Sequence, residues 1–251
     1  MGVVVAFANQ KGGVAKTTTV HALADAFVDR GRTVLMVDLD PQACLTYATG
    51  IDVASLDVTV HDVMLGRATA EEALVDTYSA TLLPSSIDLA GSEVNLLGKS
   101  GREYVLTRAL APVRDDFEVV LVDCGPSLGI LTINALTAAD HVAVPFQCET
   151  LSHRAVDQLL DTVADVRRYT NERIAVLGAI ATMWDPRTRL GRSVLAEMTE
   201  RHDIAVLDPP IPRSVRVAEA PGRGRSILRH AAGSRSAAAY RELATTIEEA
   251  L

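Results

Sequence analysis

Two of the three lysines in this 251-residue chain, Lys11 and Lys16, fall in one short run: Gln10-Lys11-Gly12-Gly13-Val14-Ala15-Lys16-Thr17-Thr18. Elsewhere the chain uses arginine for almost every cation. The chemistry that suits such a run is the binding of a polyphosphate. Glycines let backbone N–H groups curl around phosphate oxygens, and the N-terminus of a following helix adds a favourable dipole. Lys16 is placed to reach the β- and γ-phosphates of a nucleotide, the Thr17 hydroxyl to ligate Mg²⁺, and Thr18 to contact the α-phosphate. Gly12, Gly13, Val14 and Ala15 supply the cradling backbone. A glycine-rich turn that binds nothing would explain the glycines but not the Lys-Thr-Thr after them. The run departs from G-x-x-x-x-G-K-[ST] at both ends, with Gln10 at the first glycine and Ala15 at the last.

Carboxylates follow two other apolar runs. Val37-Asp38-Leu39-Asp40-Pro41-Gln42 places Asp38 and Asp40 on one face by strand alternation. Val119-Val120-Leu121-Val122-Asp123 is a hydrophobic run ending in a carboxylate, which would hold Mg²⁺ through its water. Any one of these Asp residues alone reads as a turn or helix cap. Together with a phosphate loop they fit phosphoryl transfer, which needs a positioned water and neutralised γ-phosphate charge.

The elements that would position these groups alternate between short β-branched runs and longer helical stretches. Strands are expected at 3–8, 33–37, 81–83, 117–122, 141–144 (stopping before Pro145), 174–181 and 204–207. Helices are expected at 17–30, 93–97, 103–113, 131–138, 152–169, 190–201 and 237–251, with 42–78 a mixture of helix and loop. Such alternation implies an α/β fold: a doubly wound, mostly parallel sheet with helices on both faces. Ligands in these sheets bind at the C-terminal ends of strands, where all three signals fall. Nothing rich in Pro, Gly or Ser splits the chain, so one domain over 1–251 is expected. Cys44, Cys124 and Cys148 show no metal-ligand spacing and read as reduced thiols in a cytoplasmic protein. No apolar run is long enough to span a membrane, and no signal peptide is visible.

Lys11-Gly12-Gly13-x-x-Lys16-Thr17, Asp38–Gln42 and the Asp123-Cys124-Gly125-Pro126-Ser127 segment resemble the deviant Walker A ATPases of the ParA/MinD family. The resemblance spans nearly the full chain and is weakest from Asp52 to Arg102. It implies a P-loop ATPase using ATP and Mg²⁺, with Lys11 as the signature lysine that reaches the partner's ATP in a nucleotide-sandwich homodimer. It further implies that Asp40 positions the attacking water and that Asp38 supports the Mg²⁺ shell. Lys11, Lys16 and Asp40 are thus the expected catalytic set. The family commonly has Gly where this chain has Ala15 and Pro where it has Gly125; both bear on the rate of hydrolysis.

The C-terminal third is basic in an acidic protein. From Trp184 to Arg241, eleven Arg stand against six Asp or Glu, although the whole chain carries −8. Arg187, Arg189 and Arg192 form one cluster; Arg213 and Arg216 lie in Pro212-Arg213-Ser214-Val215-Arg216-Val217-Ala218-Glu219-Ala220-Pro221. That run resembles the signature of the chromosome-partitioning (Soj-like) branch of the ParA family. The resemblance implies non-specific binding of double-stranded DNA by the ATP dimer, release on hydrolysis stimulated by a ParB-type activator, and a nucleoid-associated location. Clustered cations suit backbone phosphates and a dimer doubles them; a solvated arginine face is the plain alternative. Pro209 to Pro212 are expected to line the adenine pocket, opposite Thr182 or Met183. The C-terminal segment is acidic in its last turns, against a stable association with anionic lipid of the MinD kind. A nucleotide-gated switch with very weak hydrolysis is the other reading that Ala15 leaves open. An iron–sulfur reductase on the same fold would need cysteines in other contexts.

Overall fold

A computed structural model describes residues 2–149 and 152–251. Eight strands form one sheet: β1 (Val3–Phe7), β2 (Val34–Leu39), β3 (Val75–Asp76), β4 (Thr81–Leu83), β5 (Val119–Cys124), β6 (His141–Gln147), β7 (Ala175–Thr182) and β8 (Val206–Leu207). Their order is β3-β4-β2-β5-β1-β6-β7-β8. Every pairing is parallel except β3 with β4 at the edge. The helices are α1 (Lys16–Asp29), α2 (Cys44–Ala48), α3 (Val60–Leu65), α4 (Ala70–Ala73), α5 (Leu89–Leu97), α6 (Val105–Leu110), α7 (Ile130–Ala138), α8 (Ser152–Tyr169), α9 (Arg189–His202), α10 (Val215–Glu219), α11 (Ile227–His230) and α12 (Arg235–Ala250).

Successive side chains of a strand point to opposite faces, and here that alternation sorts the core into two layers. Val4 and Ala6, Leu35 and Val37, and Val120 and Val122 pack against α3 and α5 to α9. Val5 and Phe7, Val34 and Met36, and Val119 and Leu121 pack against α1, α2, α11 and α12. Asp38 shares its parity with Met36, and Asp123 with Leu121. Both carboxylates are therefore directed to the α1 face of the sheet, the face on which the phosphate loop sits.

The expected strand ends fell short on this side. β2 and β5 each run two residues past their expected ends at Val37 and Val122, because Asp38 pairs with Asp123 and Leu39 with Cys124 in one ladder. The apolar pattern stops where the charge begins, but the backbone pairing does not. β6 likewise passes through Pro145. That proline pairs with Ile180 of β7, while β1 on the other side has already ended. Its carbonyl instead accepts the Asn9 side-chain amide at 2.8 Å, so no ladder donor is lost. The helix expected over 103–113 is shorter, α6, with single 3₁₀ turns on either side. β3, α10 and α11 are too short to have shown a period.

The C-terminal helix α12 lies along α1. Tyr240, Leu243, Ala244 and Ile247 are fully buried, so its apolar stripe is already covered by protein. Tyr240 is the largest buried side chain, and its hydroxyl meets the Thr19 hydroxyl of α1 at 3.2 Å. No described helix is long and apolar enough to cross a membrane.

The α1–α12 contact carries a testable load. Tyr240→Ala should cost about 3–5 kcal/mol of stability. Tyr240→Phe, which keeps the ring but leaves the Thr19 hydroxyl without its partner, should cost about 1 kcal/mol. Denaturant unfolding of the two variants against wild type measures both.

Candidate functional site

Two residues past the end of β1 stands a polar residue with three tasks. Asn9 is buried; its amide holds Pro145, its side-chain oxygen accepts the Lys11 N–H at 2.9 Å, and its carbonyl accepts the Lys16 ammonium at 3.1 Å. The loop then rises over Gly12 and Gly13 (φ 74°) and enters α1 through Ala15, whose backbone is left-handed at φ 62° and ψ 32°. An alanine there carries a cost of roughly 1 kcal/mol that glycine would not. α1 receives no side-chain cap, so its first N–H groups point into the loop without partners from the chain, as an anion site requires.

Lys16 folds back under this crown toward the carbonyls of Asn9 and Lys11. Burial lowers its pKa, and Asp123, Cys124 and Asp40 pull it back up. Lys11 goes the other way, out of the loop, and its ammonium pairs with Glu149.

The carboxylates lie beneath. Asp38 and Asp123 are fully buried neighbours on β2 and β5. Asp38 Oδ2 accepts both the Thr46 N–H at 2.8 Å and the Thr46 hydroxyl at 2.7 Å, and Oδ1 the Asp40 N–H at 3.2 Å. Burial nevertheless raises the Asp38 carboxyl to about 6. Asp123 is pushed well up by burial and then by Asp38. Thr17 and Lys16 pull against that rise, but no donor reaches hydrogen-bonding geometry on either Asp123 oxygen. Two orphaned carboxylate oxygens facing the loop are what a divalent cation, with its waters, would satisfy. The residues therefore fit Mg²⁺: the Thr17 hydroxyl would ligate it, and Asp123 and Asp38 would hold its water shell. Asp40 stands just past the end of β2 on the cavity wall.

The loop and Asp40 open into one cavity of about 1050 Å³, while Asp38 and Asp123 lie beneath it and are not among its lining residues. Its wall takes in the loop from Gly12 to Thr18, Asp40, and, on the far side, Thr182, Met183 and Pro212. Pro209, expected on that wall, is not among its residues. The chain turns back onto the sheet only at Ile211, whose N–H bonds the Ala181 carbonyl at 2.7 Å, and the lining begins there. Arg213, expected to face DNA, lines the cavity as well.

The five expected DNA-facing arginines are not equivalent. Trp184 N–H bonds Ile211 O and Arg213 N–H bonds Trp184 O; this bridge brings both arginine segments to one edge beyond β7. Arg187 is held bidentately by Asp185 at 3.0 Å, Arg192 by the Pro186 carbonyl at 2.8 Å, and Arg216 by Glu219 at 3.1 Å. Arg189 and Arg213 are exposed and have no side-chain partner among the described residues.

Several contributors escaped the sequence reading: Asn9, Thr46, Ser85 and His21. The Ser85 hydroxyl bonds the Asp40 carbonyl at 2.8 Å, and its N–H bonds the Thr46 hydroxyl at 2.9 Å. His21, one turn into α1, lines the cavity and is held neutral chiefly by burial. Only Asn9 carried a signal: a polar residue directly after a buried strand and before the loop. The three cysteines are set as ordinary thiols, with burial raising each, Cys148 to about 11.

The Asp38 carboxyl gives a pH prediction. Its folded pKa, about 6, lies above its unfolded value of 3.8. The native state thus keeps a proton that the unfolded chain releases, and this stability, complete below pH 4, is lost as pH rises through 6. Without nucleotide, the stability difference between wild type and Asp38→Asn should change by roughly 3 kcal/mol between pH 4 and 7. Saturating Mg-nucleotide should flatten the wild-type profile. Thermal melts across that range read both effects.

Residues 2–176 match the family model described as "AAA domain". The sporulation initiation inhibitor protein Soj of Bacillus subtilis is 40% identical, with 98% of each chain covered. The chromosome partitioning protein ParA of Caulobacter vibrioides is 39% identical over 97% of this chain and 93% of its own. Among solved structures, a Mycobacterium smegmatis protein titled cobyrinic acid a,c-diamide synthase, with bound ADP and magnesium, is 50% identical, covers 98% of this chain and 93% of its own, and superposes with a TM-score of 0.88. The loop, the paired carboxylates, the parallel sheet and these relatives agree: the chain belongs to the ParA/MinD family of P-loop ATPases.

Proposed function

We propose that this ATPase works as a partitioning protein: a Mg-ATP-dependent sandwich homodimer that binds double-stranded DNA without sequence preference and lets go on hydrolysis. ATP and Mg²⁺ are its substrate and cofactor. In the hydrolytic step a water oxygen bonds to the γ-phosphorus as the bond to the β,γ-bridging oxygen breaks. ADP leaves with the electron pair, and the water's proton ends on the product phosphate. Asp40 orients the water, Lys16 and the loop N–H groups hold the charge that develops on the γ-phosphate, and Lys11 of each protomer reaches the other's nucleotide. Mg²⁺, held by Thr17 and through water by Asp38 and Asp123, would neutralise phosphate charge when bound. A ParB-type protein with a basic segment is the fitting activator, and a chromosome, plasmid or other large assembly the fitting cargo.

The observation that carries the reading is the position of Arg213. It forms part of the nucleotide cavity wall and, through the Trp184 bridge, part of the arginine edge. Filling the cavity and arranging the arginines are thus tasks of one segment, which supports nucleotide control of DNA binding. Exposed Leu190 and Val215 flank that edge. A membrane-bound reading in the manner of MinD is disfavoured by α12, whose apolar face is buried against α1.

Binding of non-specific duplex DNA at low salt, with ATP, ADP or no nucleotide, tests this. Binding is expected with ATP only and to persist longer in Asp40→Ala. Arg189→Ala and Arg213→Ala should weaken it for all sequences and flatten its salt dependence by about one unit per lost phosphate contact. Arg187→Ala should matter less, since Asp185 already holds that guanidinium. No binding in any state would remove the DNA reading. Phosphate release from ATP with no carboxylic acid acceptor present separates this function from the acid amidation that the name of the M. smegmatis protein implies.

A further inference from the structure

Among the three carboxylates, Asp40 is the least restrained. Asp38 accepts three hydrogen bonds, and Asp123 is walled in on β5. The Asp40 side chain accepts one, from the Gln42 N–H to Oδ1 at 2.9 Å. Its Oδ2 has no hydrogen-bond partner among the described residues. The Ser85 hydroxyl fixes the Asp40 carbonyl, not its carboxylate.

What lies against that carboxylate is Gly125, the second residue after Asp123 and just past the end of β5. A Cβ at Gly125 would have as its three nearest neighbours the Asp40 Cγ and Oδ1, each at 3.4 Å, and Oδ2 at 3.7 Å. Near-equal distances to all three atoms place that Cβ over the flat face of the carboxylate, at van der Waals contact and without a clash. The in-plane lone pairs, which would accept a water, stay open. Gly125 has no positive φ, so a side chain suits its backbone. Carboxylate rotation about χ2 is soft, and among the described residues one backbone N–H, that of Gln42, hydrogen-bonds the carboxylate against it.

We propose that Gly125 sets the hydrolytic rate through Asp40: its missing side chain leaves the carboxylate free to turn, and a methyl group there would hold it in the orientation it already has. Gly125 is a positioning residue and touches neither nucleotide nor water. The inference rests on the reading that Asp40 orients the attacking water. Gly125 itself is not among the residues that line the nucleotide cavity, so the contact bears on turnover more than on nucleotide affinity.

Steady-state phosphate release from Mg-ATP on the full chain tests it, with wild type, Gly125→Ala, Gly125→Ser, Asp40→Ala and the double variant Asp40→Ala/Gly125→Ala. Fixing one rotor should raise kcat of Gly125→Ala about 2- to 10-fold, with KM within about twofold of wild type. The gain should vanish in the Asp40→Ala background, since the methyl acts only through that carboxylate. A kcat unchanged or lowered in both the Ala and Ser variants overturns the proposal, and so does an equal gain with Asp40 absent. Failure of both variants to fold contradicts the 3.4 Å clearance and overturns it too. If Asp40→Ala hydrolyses ATP like wild type, the role of Asp40 itself falls, a result distinct from an inert Gly125→Ala beside a dead Asp40→Ala.

Discussion

The pairing of Asp38 with Asp123 across β2 and β5 is the constraint on which the rest of the site depends. Two carboxylates in adjacent strands, on one face and fully buried, cannot both be charged without cations. The chain offers one, Lys16, and places it overhead, where it is itself disfavoured by burial. The nucleotide-free site is therefore electrostatically unfinished. Asp38 gains enough donors from Thr46 and Asp40 to hold near 6; Asp123 gains none at hydrogen-bonding geometry and is pushed further up. A divalent cation completes the set and brings its polyphosphate with it, so metal and nucleotide binding are aspects of one event.

Backbone strain tells the same story independently. Among the described residues, four other than glycine have positive φ: Ala15, Ala43, Met183 and Asp203. Three of them, Ala15, Ala43 and Met183, line the nucleotide cavity. Ala15 and Ala43 each precede a helix, α1 and α2, and neither helix has a side-chain cap. Each such residue stores on the order of 1–2 kcal/mol. The surrounding packing over-determines these conformations; the first N–H groups of α1 stay open to a ligand, whereas at α2 the Thr46 N–H is already taken by Asp38.

Much of this was legible from residue order. Glycines between two lysines, an apolar run before Asp123, and alternation through Asp38 and Asp40 are local patterns, and they put the loop and all three carboxylates at or just past the C-terminal ends of neighbouring strands. Alternation even fixes the face, since Asp38 follows Met36 and Asp123 follows Leu121 to the α1 side. Contacts made over long sequence distance could not be read this way. Thr46 is eight residues from Asp38 and reaches it only because α2 folds back; Ser85 reaches Asp40 from 45 residues away. The arginines show the limit of charge counting. Composition finds five candidates, but whether a guanidinium is free depends on neighbours such as Asp185, Pro186 and Glu219.

Lys11 links these features to assembly. In the single chain its ammonium is engaged by Glu149, on the segment that follows β6. That ion pair is partly exposed and so worth well under the strength of a buried one. A pair of that strength would yield to a triphosphate presented by a second copy in the proposed dimer. In the proposed dimer a γ-phosphate would carry more charge into the interface than a diphosphate does, so exchange of Glu149 for a partner's nucleotide would favour ATP over ADP. Each protomer's loop would then report the partner's nucleotide while the Arg213 wall reports its own. Coupling of this kind needs no hinge or lid, only a lysine whose resting partner is the weaker of two anions.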